Sequence, residues 1–313
     1  MRIFYLSDGL HAGGGRMVNL DHVEALRGFG YDARYLVVPA EGVEAPQFPL
    51  GRDVPWQTST DDLTLDDIVV VGEMHAAGAR AVMATPARKL IHNQNPYYSF
   101  LAFRDFGAVR GWGCEAMLAP SGFTADQLRQ MGWTGPVHVV RPFVDPVFAA
   151  AAQRRDEVRI GVMPRKRPHE LALIRGVVLS QRPDLARVPW GRIGGRPRAE
   201  VADILGRCDL FLSLSHMEGL GLPPLEAMAA GCLVVGFHGG GGREYATAEN
   251  GDWFDDGGHL EIAAALIGRL DALAAGERFE ARREAGRRTA AEFSLARFEA
   301  ELRAAWLAIA GPP

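Results

Sequence analysis

Two glutamates, Glu218 and Glu226, stand eight residues apart in the run 215–231, Ser-His-Met-Glu-Gly-Leu-Gly-Leu-Pro-Pro-Leu-Glu-Ala-Met-Ala-Ala-Gly. A carboxylate pair at this spacing is by itself ordinary surface charge; its surroundings are not ordinary. The apolar stretch 210–214 before it reads as a strand, and Pro223-Pro224 supply the fixed φ favoured where a helix begins. Glu218 is therefore expected in the loop at a strand's carboxyl end, and Glu226 in the first turn of the following helix, where the dipole favours an anion. Both carboxylates and the free N–H groups of the turn then point into one crevice. Carboxylates accept from hydroxyls and backbone N–H groups bind phosphate, so a ligand carrying both is implied. Earlier in the chain, Arg165 and Lys166 in Met163-Pro-Arg-Lys-Arg-Pro168 set adjacent cations at a strand end, with a solvated turn as the plainer reading. His92 closes a strand in Ile91-His-Asn-Gln-Asn-Pro96, with Glu73 and His75 at the end of the strand before it. Arg243 follows four consecutive glycines and could reach phosphate.

The elements that position these groups alternate between strand and helix. Residues 2–6 read as a buried strand, 16–27 as a helix with Leu20, Val23 and Leu26 on its inner side, and 33–38 as the next strand. The pattern recurs at 68–71, 89–92, 116–118 and 137–140. After the polar stretch 146–157 a second alternation starts: strands at 158–163, 210–214 and 233–237, helices at 169–181, 199–206 and 224–230. The fold class expected is α/β with two doubly wound domains, 1–148 and 157–292. Ligand loops at the strand carboxyl ends would face a cleft between the domains.

The whole string 215–231 resembles the E-x7-E signature of retaining GT-B glycosyltransferases of family 4. Segments 13–15, 119–124, 139–148 and 237–244 resemble that family's first glycine loop, the end of its first domain, and its second glycine loop. The helix 293–313 resembles the tail that crosses back to the first domain. The resemblance implies two Rossmann-like domains, with a nucleotide-diphosphate sugar held mainly by the second and a glycan, lipid-linked or small-molecule acceptor by the first. It implies that Glu226 accepts the ribose hydroxyls and Glu218 a hydroxyl of the transferred sugar. Backbone groups of Gly219, Leu220, Gly221 and Leu222 would meet sugar and diphosphate, and Gly13, Gly14, Gly15, Gly240, Gly241 and Arg243 would line the donor site. Arg165 and Lys166 would hold the departing diphosphate, and His92 would contact the donor sugar. One departure matters: Gly161 stands where the family usually has its arginine, so the cations are adjacent, as in a subgroup of polysaccharide rhamnosyltransferases. Retention of configuration without a metal or resident cofactor, by a front-side mechanism, completes the expectation.

Composition narrows the field. A net charge of −4 argues against a nucleic-acid partner, and 48% hydrophobic residues supply a sizeable core. Glycine supplies 37 of 313 residues where usage of about 7% gives roughly 22, and nine fall in 13–15, 219, 221 and 239–242. Cys114, Cys208 and Cys232 are too scattered for a disulfide framework or zinc site, which suits a cytoplasmic protein. No apolar run suggests a membrane span, and peripheral contact at the inner membrane face is left open. Arg282, Arg283, Arg287 and Arg288 read as a solvated helix face, diluted by Glu280 and Glu284. Asp-x-Asp, Gly-x-Ser-x-Gly and a complete Gly-x-Gly-x-x-Gly are absent, which disfavours metal-dependent GT-A enzymes, serine hydrolases and nicotinamide dehydrogenases. A GT-B epimerase and a non-catalytic nucleotide-sugar binder are the alternatives.

Overall fold

The computed structural model describes residues 1–7, 14–38, 54–151 and 157–313. The chain divides into two units, the first Met1–Pro142 with Phe298–Pro313, the second Phe143–Arg297.

The first unit runs β1 (Arg2–Ser7), α1 (Gly14–Gly28), β2 (Asp32–Val37), β3 (Trp56–Gln57), β4 (Ile68–Gly72), α2 (Ala76–Met83), β5 (Arg88–His92), α3 (Phe106–Gly111), β6 (Cys114–Ala119), α4 (Gly122–Gln130) and β7 (Val137–Val139). Its strands lie in the order β3-β2-β1-β4-β5-β6-β7, paired in parallel throughout. Helices cover both faces, which is why β4 is buried along its whole length and reads as an unbroken apolar run. Phe4, Leu6, Val69, Val71, Ile91 and Met117 pack on one side against Ala79, Val82, Val109 and Leu128 of the α2–α4 layer. On the other side the Tyr5 ring meets His22 of α1 and Trp306. Side chains cap the short helices: Asp105 accepts from the N–H of Ala108, and Ser121 from that of Thr124.

The second unit runs α5 (Pro146–Ala149), β8 (Ile160–Val162), α6 (Pro168–Gln181), β9 (Trp190–Arg192), α7 (Arg198–Gly206), β10 (Leu210–Glu218), α8 (Leu222–Ala229), β11 (Leu233–Gly240), β12 (Gly251–Phe254), α9 (His259–Ala274) and α10 (Glu280–Ala291). Its parallel sheet has the order β12-β11-β10-β8-β9. The period of two sorts its core. Leu210, Leu212, Leu214, Leu233, Val235 and Phe237 face α6 and α9, while Phe211 and Val234 face α7, α8 and α10.

Residues 143–148, placed in the first domain from the sequence, cluster with the second. Val144 and Phe148 belong to the same buried cluster as Val201, Leu205 and Leu225, because α5 packs on α7 and α8. The last helix, α11 (Leu295–Ala310), returns to the first unit, where Phe298 packs on His22 and Trp306 on Tyr5 and Tyr31. Arg283 also departs from expectation. It is buried, and its guanidinium donates to the carbonyls of Gly231 at 2.5 Å and Arg278 at 2.8 Å and to the Asp209 carboxylate at 3.2 Å. Arg282, Arg287 and Arg288 pair with Asp252 and Glu284 nearer the surface.

Candidate active site

β10 and β11 pair in simple register from Leu210↔Leu233 to Ser215↔His238, then shift by one residue so that Glu218 lies opposite Gly240. The extra residue is a bulge, a device that re-aims a side chain at a strand's end. Met217 within it takes a positive φ of 48°, a conformation that side-chain-bearing residues rarely adopt. The result delivers Glu218 to Lys166, which enters from the turn after β8. The Lys166 ammonium lies 2.9 Å from Glu218 Oε1 and donates to the carbonyls of His216 at 2.9 Å and Met217 at 3.3 Å. Its neighbour Arg165 is exposed and makes no ion pair or hydrogen bond to any described residue. Arg167, next along, is buried.

Helix α8 starts at Leu222, from a left-handed Gly221 (φ 89°), with the two prolines in its first turn. Glu226 is consequently in the second turn, not the first as its position after the prolines suggested. The dipole argument loses its force there, and burial dominates instead. Desolvation pushes the Glu226 carboxyl up to about 7, a rise that Arg198 opposes and Asp145 assists. Arg198 and Asp145 themselves pair at 3.2 Å. The turn between Glu218 and α8 is fixed by Tyr245, whose hydroxyl donates to the Gly221 carbonyl at 2.7 Å. Burial raises the Tyr245 phenol, and the negative charges of Glu218 and Glu226 raise it further, so this ring senses both carboxylates. No sequence signal pointed to Tyr245, Asp145 or Arg198; each is placed by topology.

Leu220 sends its side chain into the core, and only its backbone is available to a ligand. Gly219, Gly221, Leu222 and Gly240 all lie in or beside the turn, at the carboxyl ends of β10 and β11. For Gly241 the structure gives a reason other than phosphate approach. A Cβ there would lie 2.5 Å from the Gly219 oxygen and 2.6 Å from the Glu218 oxygen, so the second glycine loop packs backbone on backbone against the first. Arg243 is largely exposed and is engaged by Asp255 at 2.6 Å and His238 at 3.3 Å.

In the first unit His92 is fully buried. It stacks on His22 with ring centroids 4.6 Å apart, and its Nδ1 is 2.8 Å from Asn19 Oδ1. Desolvation lowers it to about 3, so it is a neutral interior imidazole and not the sugar-facing group expected at a strand end. What lies beside it is more exposed to chemistry. Gln94 donates through its side chain to the Gly15 carbonyl and to Asn19, both at 2.9 Å, tying the start of α1 to the end of β5. Gly14 and Gly15 open α1, and Gly13 lies outside the described residues. Glu73, at the end of β4, is buried and pushed up to about 7 by desolvation, while N–H groups of Gln94 and Asn95 pull it back. His75, half-buried, begins the turn into α2.

Residues 192–288, spanning Glu218, Glu226 and both of the second unit's glycine segments, match the family "Glycosyl transferases group 1". An alpha-1,6-glucosyltransferase of Actinobacillus pleuropneumoniae is 30% identical over 263 residues, which cover 82% of this chain and 80% of that protein. The chain belongs to the group 1 glycosyltransferases. Solved structures agree on the architecture of this glycosyltransferase. Sucrose-phosphate synthase from Thermosynechococcus elongatus matches with a TM-score of 0.70 at 14% identity, over 99% of each chain. Anabaena HepE in complex with UDP-glucose matches with a TM-score of 0.67 at 16% identity, over 98% of this chain and all of that one. The fold class is thus the one expected, two parallel-sheet α/β units of GT-B type. Among the described residues of the enzyme, no helix is long and apolar enough to cross a membrane.

Proposed function

We propose that this glycosyltransferase moves a hexose from a nucleotide-diphosphate sugar to a hydroxyl acceptor with retention of configuration and without a resident metal. UDP-glucose is the first donor to try, because HepE binds it and the curated relative is a glucosyltransferase. That relative's name makes the 6-hydroxyl of a sugar the first acceptor to try. The observation that carries the reading is the Lys166–Glu218 pair at 2.9 Å, set at a bulged strand end directly before a helix bearing Glu226.

In this reading Glu226, as carboxylate, accepts from the ribose hydroxyls, and Glu218 accepts from a hydroxyl of the transferred sugar. N–H groups of the 219–222 turn meet the diphosphate. Arg165, exposed at the same turn, joins Lys166 on the diphosphate as negative charge develops on it. The acceptor oxygen bonds to the anomeric carbon as the carbon–phosphate-oxygen bond breaks. The diphosphate leaves with the electron pair, and one of its oxygens takes the acceptor's proton. His92 has no part, since it is buried.

The test is transfer from UDP-glucose followed by NMR of the product's anomeric configuration. Glu226→Ala should weaken donor binding, and Lys166→Ala should mainly lower kcat. An inverted product would overturn the retaining mechanism. Isomerised donor formed without acceptor would point to an epimerase, and binding without turnover on any acceptor to a non-catalytic binder.

A further inference from the structure

We infer that Arg167, unremarkable in the sequence, is a positioning residue that sets Glu218 against the transferred sugar; this rests on the donor reading above. Its side chain is 4% exposed, so it does not itself meet a ligand. Its contacts converge on the stretch that decides where Glu218 points. Nε donates to the Ser215 carbonyl at 3.2 Å, and Nη2 lies 2.7 Å from His216 Nδ1. Ser215 is the last residue of regular β10–β11 register and His216 enters the bulge. Lys166, adjacent to Arg167 in the chain, holds the next two carbonyls and then Glu218 itself. Two consecutive cations therefore grip four consecutive residues, 215 to 218, in order.

The guanidinium is held from every side that faces it. Nη1 pairs with Glu170 Oε1 at 2.6 Å on α6, Nη2 with Asp256 in the turn after β12, and its Cζ lies 4.3 Å from the Phe237 ring centroid on β11. His259 also contacts the same Glu170 oxygen at 3.2 Å. A planar fork with five donors satisfies this arrangement, and a lysine ammonium cannot reach a carbonyl, an imidazole and two carboxylates together. The bulge, with its left-handed Met217, is a conformation the chain would leave if released. Glu218 would then lose the orientation that Lys166 alone does not impose.

The experiment is calorimetric titration of UDP and of UDP-glucose into the wild-type enzyme, Arg167→Lys and His216→Ala, with kcat and KM for transfer. Positioning predicts that the ratio of the UDP-glucose to the UDP dissociation constant rises by roughly tenfold in Arg167→Lys, the scale of one charge-assisted hydrogen bond. His216→Ala, which leaves the buried guanidinium in place, should shift the ratio the same way by less, and it decides the matter if Arg167→Lys does not fold. kcat should fall more than KM rises. A lowered melting temperature with an unchanged ratio in both variants overturns the positioning role and leaves the donor reading intact. A wild-type enzyme that binds neither ligand overturns the donor reading, and the role of Arg167 with it.

Discussion

The Glu226 carboxyl is pushed up to about 7 by burial, and its proposed task requires it to be ionised. Donor affinity should therefore track its ionised fraction. With a midpoint near 7 that fraction is about ten-elevenths at pH 8 and about one-eleventh at pH 6, so the dissociation constant should rise about tenfold between them. A nucleotide sugar is the right ligand, because its diphosphate is a diester with no proton to exchange in this range. Calorimetry in two buffers of different ionisation enthalpy gives a second readout. Binding at pH 6 should release about 0.9 proton per site, and binding at pH 8 about 0.1. Glu226→Gln should remove both the slope and the proton release, and weaken binding at pH 8 by roughly ten- to a hundredfold, the range for a hydrogen bond to a charged group. Asp145→Asn should move the midpoint down, since Asp145 helps raise it. An affinity that stays level from pH 6 to pH 8 in the wild-type enzyme refutes the assignment of Glu226 to the ribose.

Glu73 should make the first unit less stable as pH rises. Its folded value near 7 lies above the ordinary 4.5, so its stabilisation is complete below 4.5 and lost as pH climbs through 7, a change of about 3 kcal/mol that Glu73→Gln should flatten in urea melts at pH 5 and pH 8. Arg283→Met removes a charged donor from the buried Asp209 carboxylate and from the Gly231 carbonyl, so it should cost about 3–5 kcal/mol in urea denaturation; a loss below 1 kcal/mol would count against a buried clamp. Gly241→Ala forces the two glycine segments apart. It should cost about 1–3 kcal/mol and weaken UDP-glucose binding, with circular dichroism near that of the wild type.

The fold was largely legible because long buried strands announce themselves. The run Ile-Val-Val-Val-Gly of β4 has no other comfortable home than a sheet covered on both faces. The short edge strands β3, β9 and β12 carry too few residues to show a period, and they emerge only from pairing with their longer neighbours. At the candidate site, the place of Glu218 at a strand end and of Glu226 in the next helix could be read because their glycines and prolines lie beside them in sequence. Arg167 could not, since its partners at 215, 216 and 256 reach it through sheet order alone. His92 shows the converse error: a strand end need not be a surface, and here α1 and α11 close over it, His22 of α1 stacked on His92 and Phe298 of α11 packed on His22. Gly241 is expected to line a donor site, and a Cβ there would instead run into the main chain of Glu218 and Gly219.

The first unit takes its last helix from residues beyond Arg297, and the second is one uninterrupted stretch, Phe143–Arg297. During synthesis the two therefore mature in an order opposite to their numbering. The second can close its core as soon as its own residues have emerged. The first, though made earlier, must wait with the faces of Tyr5, His22 and Tyr31 bare until Phe298 and Trp306 arrive. A ribosome stalled before α11 would thus carry a finished second unit and an unfinished first one. Shortening the chain by that one helix is accordingly a lesion of the amino-terminal half.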